Sequence, residues 1–341
     1  MGITIRDVAA AAGVSTATVS RALRGLPNVD DLTREKVKAV AANLDYVISP
    51  SASRLASGRT GSIAVITPYI SRWFFSEVIS GVESVLQQAG LDMLLINVGD
   101  YQHGHGRIPP TPRIKRRVDG LLIIALPPED PDLEPILRLD LPKSMIGGIS
   151  PGIDCIAIDD FLAARKATEH LVQLGHTNLG LISGIPEGTR SVAENQRRRG
   201  FQSILQERGF TAEDSTEAFG GFTIEGGEIA TQLLLSQPNP PTAIFAMSDE
   251  MAFGALKAIR SKGLRPGVDV SVVGIDNHPM SDYLGLTTVA QPVAQLGVIA
   301  AERLLAQMFA ANDSGPIPET VHVETVLMER HSTARPTIGG L

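Results

Sequence analysis

The stretch VSTATVSRALRG (14–25) has the spacing in this chain that most directly suggests chemistry. As a helix capped by the Ser15 hydroxyl, it turns Val19, Ala22 and Leu23 to one side and Thr16, Ala17, Ser20, Arg21 and Arg24 to the other. The second set suits the major groove of DNA. Arginine donates two bonds to guanine O6 and N7, threonine and alanine meet a thymine methyl, and serine reaches phosphate. A second stretch, SPSASRLASGRT (49–60), writes a helix start at Ser49 and Pro50, one isolated leucine, Leu55, and a stop at Gly58. A helix of under about 12 residues is marginal in water, so this one needs something else to complete it.

Groups for bond-breaking chemistry are not assembled in the same way. GISPG (148–152) matches the G-x-S-x-G turn of serine hydrolases, but IDCIAI follows it, strand-like where that turn needs a helix. His103 and His105 stand in a glycine-rich loop with no further metal ligand at a supporting spacing, and no phosphate-cradling G-x-x-x-x-G-K-[ST] occurs. One cysteine, Cys155, excludes an intrachain disulfide and a multi-cysteine zinc site, and Ile153 and Ile156 beside it mark a small buried residue. The expectation is no enzyme, no metal and no cofactor.

The elements that position the first stretch read as three short helices. The first runs from about Ile5 to Ala12, with Ile5, Val8, Ala9 and Ala12 on one face and Gly13 as its left-handed stop. The second runs from Ser15 to about Leu23, before Gly25 and Pro27 break it. The third runs from about Thr33, its N-cap, to Leu44, apolar at Val37, Val40, Ala41 and Leu44, with Leu32 and Tyr46 expected to seal a miniature core. Two helices joined by a tight glycine turn and followed by a third form a helix-turn-helix pattern.

From Ser62 the texture changes. SIAVITP (62–68), DMLLINV (92–98), DGLLIIAL (119–126), CIAI (155–158), NLGLISG (178–184), TAIFAM (242–247) and DVSVVGID (269–276) read as strands. Amphipathic segments at 75–89, 161–174, 195–208, 225–236 and 249–261 lie between them. Such alternation implies an α/β fold with a mainly parallel sheet and helices on both faces, and ligands at the carboxyl ends of strands. About 270 residues is too much for one such layer, so two subdomains with a cleft are expected.

Charge divides the chain in the same place. Residues 1–59 hold eight Lys and Arg against five Asp and Glu, while the rest hold 22 against 32. A basic head on an acidic body is the asymmetry of a protein with one end on nucleic acid. An apolar content of 43 % with 20 % charged residues describes globular cores rather than disorder. The opening MGITIRDVAA, charged at Arg6 and Asp7, has neither a signal peptide nor a membrane-spanning run, so a cytoplasmic location without membrane contact is expected.

Several motifs together resemble the lactose-repressor (LacI/GalR) family of bacterial transcription regulators. They are TIRDVAAAAGVSTATVSRALRG (4–25), TREKVKAVAANLDYV (33–47), SASRLASGRTGSIAVITP (51–68), RVDGLLI (117–123), EHLVQLGHTNLGLISG (169–184), RRRGF (197–201), SDEMAFGALKAI (248–259) and DVSVVGIDN (269–277). The resemblance implies a helix-turn-helix head (1–48), a hinge helix and linker (49–60) and an effector-binding and dimerisation core (61–335) similar to periplasmic sugar-binding proteins. In that core, lobe one covers about 61–160 and 291–320 and lobe two about 161–290 and 321–335, joined by three crossovers. It further implies a homodimeric repressor on a pseudopalindromic operator, controlled by a small-molecule effector, a sugar by default. Rival readings are a purine-responsive or co-repressor-dependent regulator and a ligand-binding protein without productive DNA binding.

By the same resemblance, base contacts fall on Thr16, Ala17 and Arg21, and Ser15, Thr18 and Ser20 serve phosphates or capping. Leu55 wedges into a minor-groove step once two hinge helices pair over DNA, which answers the need of the short helix for a partner. Ligand positions map onto Phe74, Phe75, Asp160, Arg197, Phe222, Ser248, Asp249 and Asp276. The mix suits a polyol, with charged groups for vicinal hydroxyls and an aromatic for the apolar sugar face. Phe75 also reads as core and Asp249 as a helix N-cap. Two departures stand out: Ile48, where many relatives carry proline, and the Gly- and Pro-rich 99–120, where relatives place a helix between two strands. The tail 331–341 has no heptad for a coiled-coil tetramer.

Overall fold

The computed structural model describes residues 3–23, 25, 27–46, 59–99, 108–184, 192–211, 215–310 and 317–336. They fall in two compact units, residues 1–61 with 116–118 and residues 62–115 with 119–341.

In the first unit, α1 (Ile5–Ala12), α2 (Thr16–Leu23) and α3 (Asp31–Asn43) enclose a core of Val8, Ala9, Ala12, Val19, Ala22, Val37 and Ala41. The Asp7 carboxylate accepts from the Thr4 amide at 2.8 Å and the Thr4 hydroxyl at 2.7 Å, closing the start of α1. Gly13 ends it at φ 64°. The Ser15 hydroxyl accepts from the Thr18 amide at 3.0 Å, as expected for a cap. At α3 the expectation fails in two places. The cap is Asp30, which accepts from the Thr33 amide at 2.8 Å, so Thr33 is a donor inside the first turn. Asp30 brings an acceptor and a negative charge to the helix N-terminus, where a threonine brings only a hydroxyl. Leu32 is 87 % exposed and seals nothing, whereas Tyr46 does pack on the core.

The second unit contains two six-stranded sheets. One has the order β11-β5-β4-β3-β1-β2, built from Ser62–Thr67 (β1), Asp92–Asn97 (β2), Gly120–Ile124 (β3), Lys143–Ile146 (β4), Asp154–Ile158 (β5) and Thr320–Val323 (β11), all parallel. The other has the order β12-β10-β9-β8-β6-β7. It is built from Leu179–Ser183 (β6), Ser215–Phe219 (β7), Ala243–Ala246 (β8), Ser271–Asp276 (β9), Thr287–Ala290 (β10) and Val326–Met328 (β12), and only β12 runs antiparallel. The chain passes between the sheets three times: after β5, after β10 and between β11 and β12. Parallel strands covered on both faces must be apolar throughout, which is why GLLII of β3 is buried at every residue.

Helices cover the sheets in packed pairs: Trp73–Gln88 with Val293–Phe309, Asp160–Gln173 with Val192–Glu207, and Ile224–Leu234 with Asp249–Ser261. The first pair approaches so closely that a Cβ on Gly81 would lie 2.0 Å from the Ala294 carbonyl oxygen, and one on Gly297 2.1 Å from that of Val78. Only glycine admits that contact. In the Gly- and Pro-rich segment a short helix, Thr111–Lys115, precedes β3, and residues 100–107, with His103 and His105, lie outside the described residues.

Candidate nucleic-acid interface and ligand cleft

On the head, α2 presents Thr16, Ala17 and Arg21 exposed and Thr18 and Ser20 half-buried, while Val19 and Ala22 are buried. Ser15 is exposed, but its hydroxyl and that of Thr18 bond each other at 2.8 Å while Ser15 caps the helix. The groups left for a groove are therefore Thr16, Ala17, Ser20 and Arg21. Arg24 and Leu55, with the whole of 47–58, lie outside the described residues.

In the core, several of the expected ligand positions sit near strand ends. Arg197, on the helix Val192–Glu207 and 7 % exposed, donates from Nε to Asp160 Oδ1 at 2.8 Å and from Nη1 to the Met247 carbonyl oxygen just past β8. Its Nη2 has no hydrogen bond among the described residues. Asp160 opens the helix that follows the first crossover, capped by Asp159. Burial opposes the Arg197 charge, but the carboxylates of Asp160 and Asp276 outweigh it and hold the guanidinium protonated.

Asp276 ends β9 at φ 136° and is 5 % exposed. Its Oδ1 accepts from Gln291 Nε2 at 2.6 Å and its Oδ2 from the Asp249 amide at 3.4 Å. Burial pushes its carboxyl up to about 8. The neighbouring Asp249 charge adds to the rise, and Arg197 and the Gln291 amide oppose it. Phe222, at φ 55°, lays its ring over Gly184 beyond β6, where a Cβ would lie 1.8 Å from the ring. Ser248 caps the helix Asp249–Ser261, accepting from the Met251 amide at 3.3 Å.

Three expected ligand residues are engaged elsewhere. Asp249 is fully buried, with Oδ1 accepting from Thr288 Oγ1 at 2.6 Å and Oδ2 from the His278 amide at 2.8 Å and Ser281 Oγ at 2.6 Å. It ties a helix start to β10 and the turn after β9, and as the first helical residue it is not the N-cap. Burial pushes its carboxyl up against those three donors. Phe74 and Phe75 pack edge to face at 5.3 Å on the first-sheet core, with Tyr69 at 5.4 Å from Phe75.

Trp73, which the sequence reading passes over, spans the two lobes instead. Its ring centroid lies 4.6 Å from that of His278, which also meets the Phe253 ring edge to face at 5.2 Å. Gln291, on the second crossover, was likewise missed. The one sequence signal for Trp73 is its place at the start of WFF; for Gln291 there is none beyond a polar residue following a short strand. A cavity of about 310 Å³ is lined by Gly147, Gly148, Ile158, Asp160, Gln196 and Arg199. Asp160 is the only residue it shares with the expected ligand set.

Comparison with known proteins matches both parts in order. Residues 4–49 match the family model of bacterial regulatory proteins, lacI family, and residues 168–333 a periplasmic binding protein-like domain. The HTH-type transcriptional regulator DegA of Bacillus subtilis is 33 % identical over 342 residues, covering 98 % of this chain and 99 % of its own. The Lac repressor dimer bound to operator and the anti-inducer ONPF superposes with a TM-score of 0.83 at 29 % identity, covering 98 % of this chain and all of that one. A LacI family regulator from Enterococcus faecium with bound ribose has a TM-score of 0.70 at 29 % identity, covering 81 % of this chain and all of that one. With the exposed reading helix, the two-lobed core and a full-length relative in agreement, the chain belongs to the lacI family of DNA-binding transcription regulators.

Proposed function

We propose that this regulator is a cytoplasmic, homodimeric, operator-specific repressor whose grip on DNA is set by a neutral polyol, a sugar in the first instance, bound between the two lobes. The head, 1–48, reads the operator through Thr16, Ala17, Ser20 and Arg21. The hinge, 49–60, places Leu55 in the minor groove, and the core, 61–335, binds effector and partner subunit. The observation that carries the ligand reading is Arg197: a buried guanidinium clamped by Asp160 and the Met247 carbonyl, with one nitrogen still available beside the buried Asp276. A vicinal diol can accept from that nitrogen and donate to an oxygen of that carboxyl group, while Phe222 offers an apolar face. The relatives support the reading: the Lac repressor was solved as a dimer on operator, and the Enterococcus faecium regulator holds ribose. The described cleft groups hydrogen-bond one another without a paired nucleophile and base, which favours binding over catalysis.

An effector of this kind changes DNA affinity only through the difference in its affinity for the two lobe arrangements. The test is calorimetric titration of the full-length protein with neutral mono- and disaccharides, nucleosides and sugar phosphates. One neutral polyol is expected to bind, and to bind Asp276→Ala about tenfold or more weakly, as for loss of a hydrogen-bonding group in the cleft. Failure of every polyol to bind, or equal affinity for the variant, contradicts the reading.

A further inference from the structure

His278 carries ring contacts to the layers of both sheets. Trp73 opens the helix Trp73–Gln88 and packs on the core of the first sheet, whereas Phe253, 8 % exposed, belongs to the core of the second. His278, two residues past the end of β9, meets the Trp73 ring at 4.6 Å with the planes tilted by 49°, and the Phe253 ring at 5.2 Å and 86°. Trp73 follows the carboxyl end of β1 and His278 that of β9, so the contact lies on the side of the sheets where ligands bind.

The imidazole is fixed on its own side. Its Nδ1 accepts from the Met280 amide at 2.9 Å and caps the helix Pro279–Leu284, and the His278 amide donates to Asp249 Oδ2 at 2.8 Å. An accepting Nδ1 belongs to the neutral ring, the form that burial also favours. The Asp249 amide in turn donates to Asp276 Oδ2 at 3.4 Å. The ring that touches Trp73 is therefore two hydrogen bonds from the carboxyl that the regulatory reading assigns to the effector. Charge crosses the seam at the same place: burial raises the Glu250 carboxyl on the second-sheet side, and Arg72, which precedes Trp73, opposes the rise.

We propose that Trp73 and His278 are the positioning residues of a latch between the two lobes, and that its engagement sets the balance of lobe arrangements on which the effector acts. The proposal rests on the regulatory reading and adds to it the contact that a lobe shift makes or breaks. The two rings are anchored on separate cores, and a gap of about 0.5–1 Å already forfeits a quarter to a half of the attraction between packed atoms. The contact is thus lost rather than stretched when the lobes move. An aromatic pair shifts an equilibrium by about two- to tenfold beyond its buried area, and an effector does so by roughly 5- to 150-fold. The latch is large enough to place the resting balance and small enough for an effector to override.

The experiment uses full-length protein and its selected operator, with affinity for operator relative to random duplex as the readout. Trp73→Leu removes the indole and keeps an apolar group on the first-sheet core. His278→Asn removes the ring and keeps an acceptor for the Met280 amide, so the helix cap survives. Each single variant is expected to change the ratio by about two- to tenfold, both in the same direction, and the double variant to go no further. Trp73→Phe, which keeps an aromatic ring, is expected to stay within about twofold of wild type. Circular dichroism on urea unfolding identifies any variant that is merely unfolded, and His278→Asn, which retains the cap, then carries the test. Unchanged ratios, or single effects that add in the double variant, overturn the latch while the wild-type response to the panel of neutral mono- and disaccharides leaves the regulatory reading standing. Absence of a selected operator, or of any response to that panel, removes the reading and the proposal with it.

Discussion

Replacing Asp276 by asparagine is expected to flatten the pH dependence of core stability, and the size of the effect follows from the site. The carboxyl is 5 % exposed at the end of β9, beside Asp249, and is pushed up to about 8. An unfolded chain returns it to about 3.8. Between those values the native state keeps a proton that the unfolded state releases. Stability therefore falls as pH rises, by about 1.4 kcal/mol per unit for a single group, and levels off above the folded value. From pH 6 to 8 the loss comes to about 2 kcal/mol, and sharing of the charge with Asp249 spreads it over a wider range. Asparagine keeps an oxygen for the Gln291 amide and has no charge to lose. Trp73, the only tryptophan of the chain, lies between the lobes, so its fluorescence follows unfolding of the core. Urea unfolding at pH 6 and pH 8 should show wild type losing about 2 kcal/mol more than the variant. Parallel behaviour of the two would mean that Asp276 is ionised throughout, and the account of its burial would be wrong.

Other substitutions probe other parts. Arg21→Ala should lower affinity for the selected operator by about 1–3 kcal/mol while leaving random duplex nearly unaffected; an unchanged ratio in a competition binding assay removes Arg21 from the reading set. Asp249→Ala strands the His278 amide and the hydroxyls of Ser281 and Thr288 in the interior, a loss of about 3 kcal/mol by thermal or denaturant unfolding, with Asp249→Asn recovering part of it. Should alanine be neutral, those donors have other partners. Gly81→Ala drives a methyl to within 2.0 Å of the Ala294 oxygen, so the helices Trp73–Gln88 and Val293–Phe309 must part at a cost of about 1–3 kcal/mol or more. Wild-type stability for that variant would show that the two helices slide apart freely.

Local physics made the head legible. An amphipathic period, a left-handed glycine at 13 and a serine cap at 15 act within a few residues, so α1 and α2 lie where their sequences place them. Thr33 reads as a cap in the sequence because the stronger acceptor, Asp30, lies just outside the periodic stretch. In the core, apolar strands such as GLLII were readable as runs, whereas the edge strand STEAF, with one buried residue, has no such pattern. The expected ligand positions follow from family likeness alone, because they lie on elements from distant parts of the chain. Arg197, Asp160 and Asp276 are gathered by the fold. Asp249 is consumed by donors 29 to 39 residues away, and no spacing rule in the sequence reports such partners. Trp73 and Gln291 act through contacts of the same long-range kind.

The central claim is that one chain couples an operator-reading head to a polyol cleft. The most direct measurement is selection and sequencing of random duplexes bound by full-length protein, with and without the neutral compound found by calorimetry. The account predicts a pseudopalindrome, consistent with two copies of α2, whose recovery changes sharply when that compound is present. Recovery of no motif at low salt, or of a motif indifferent to the bound compound, would contradict it.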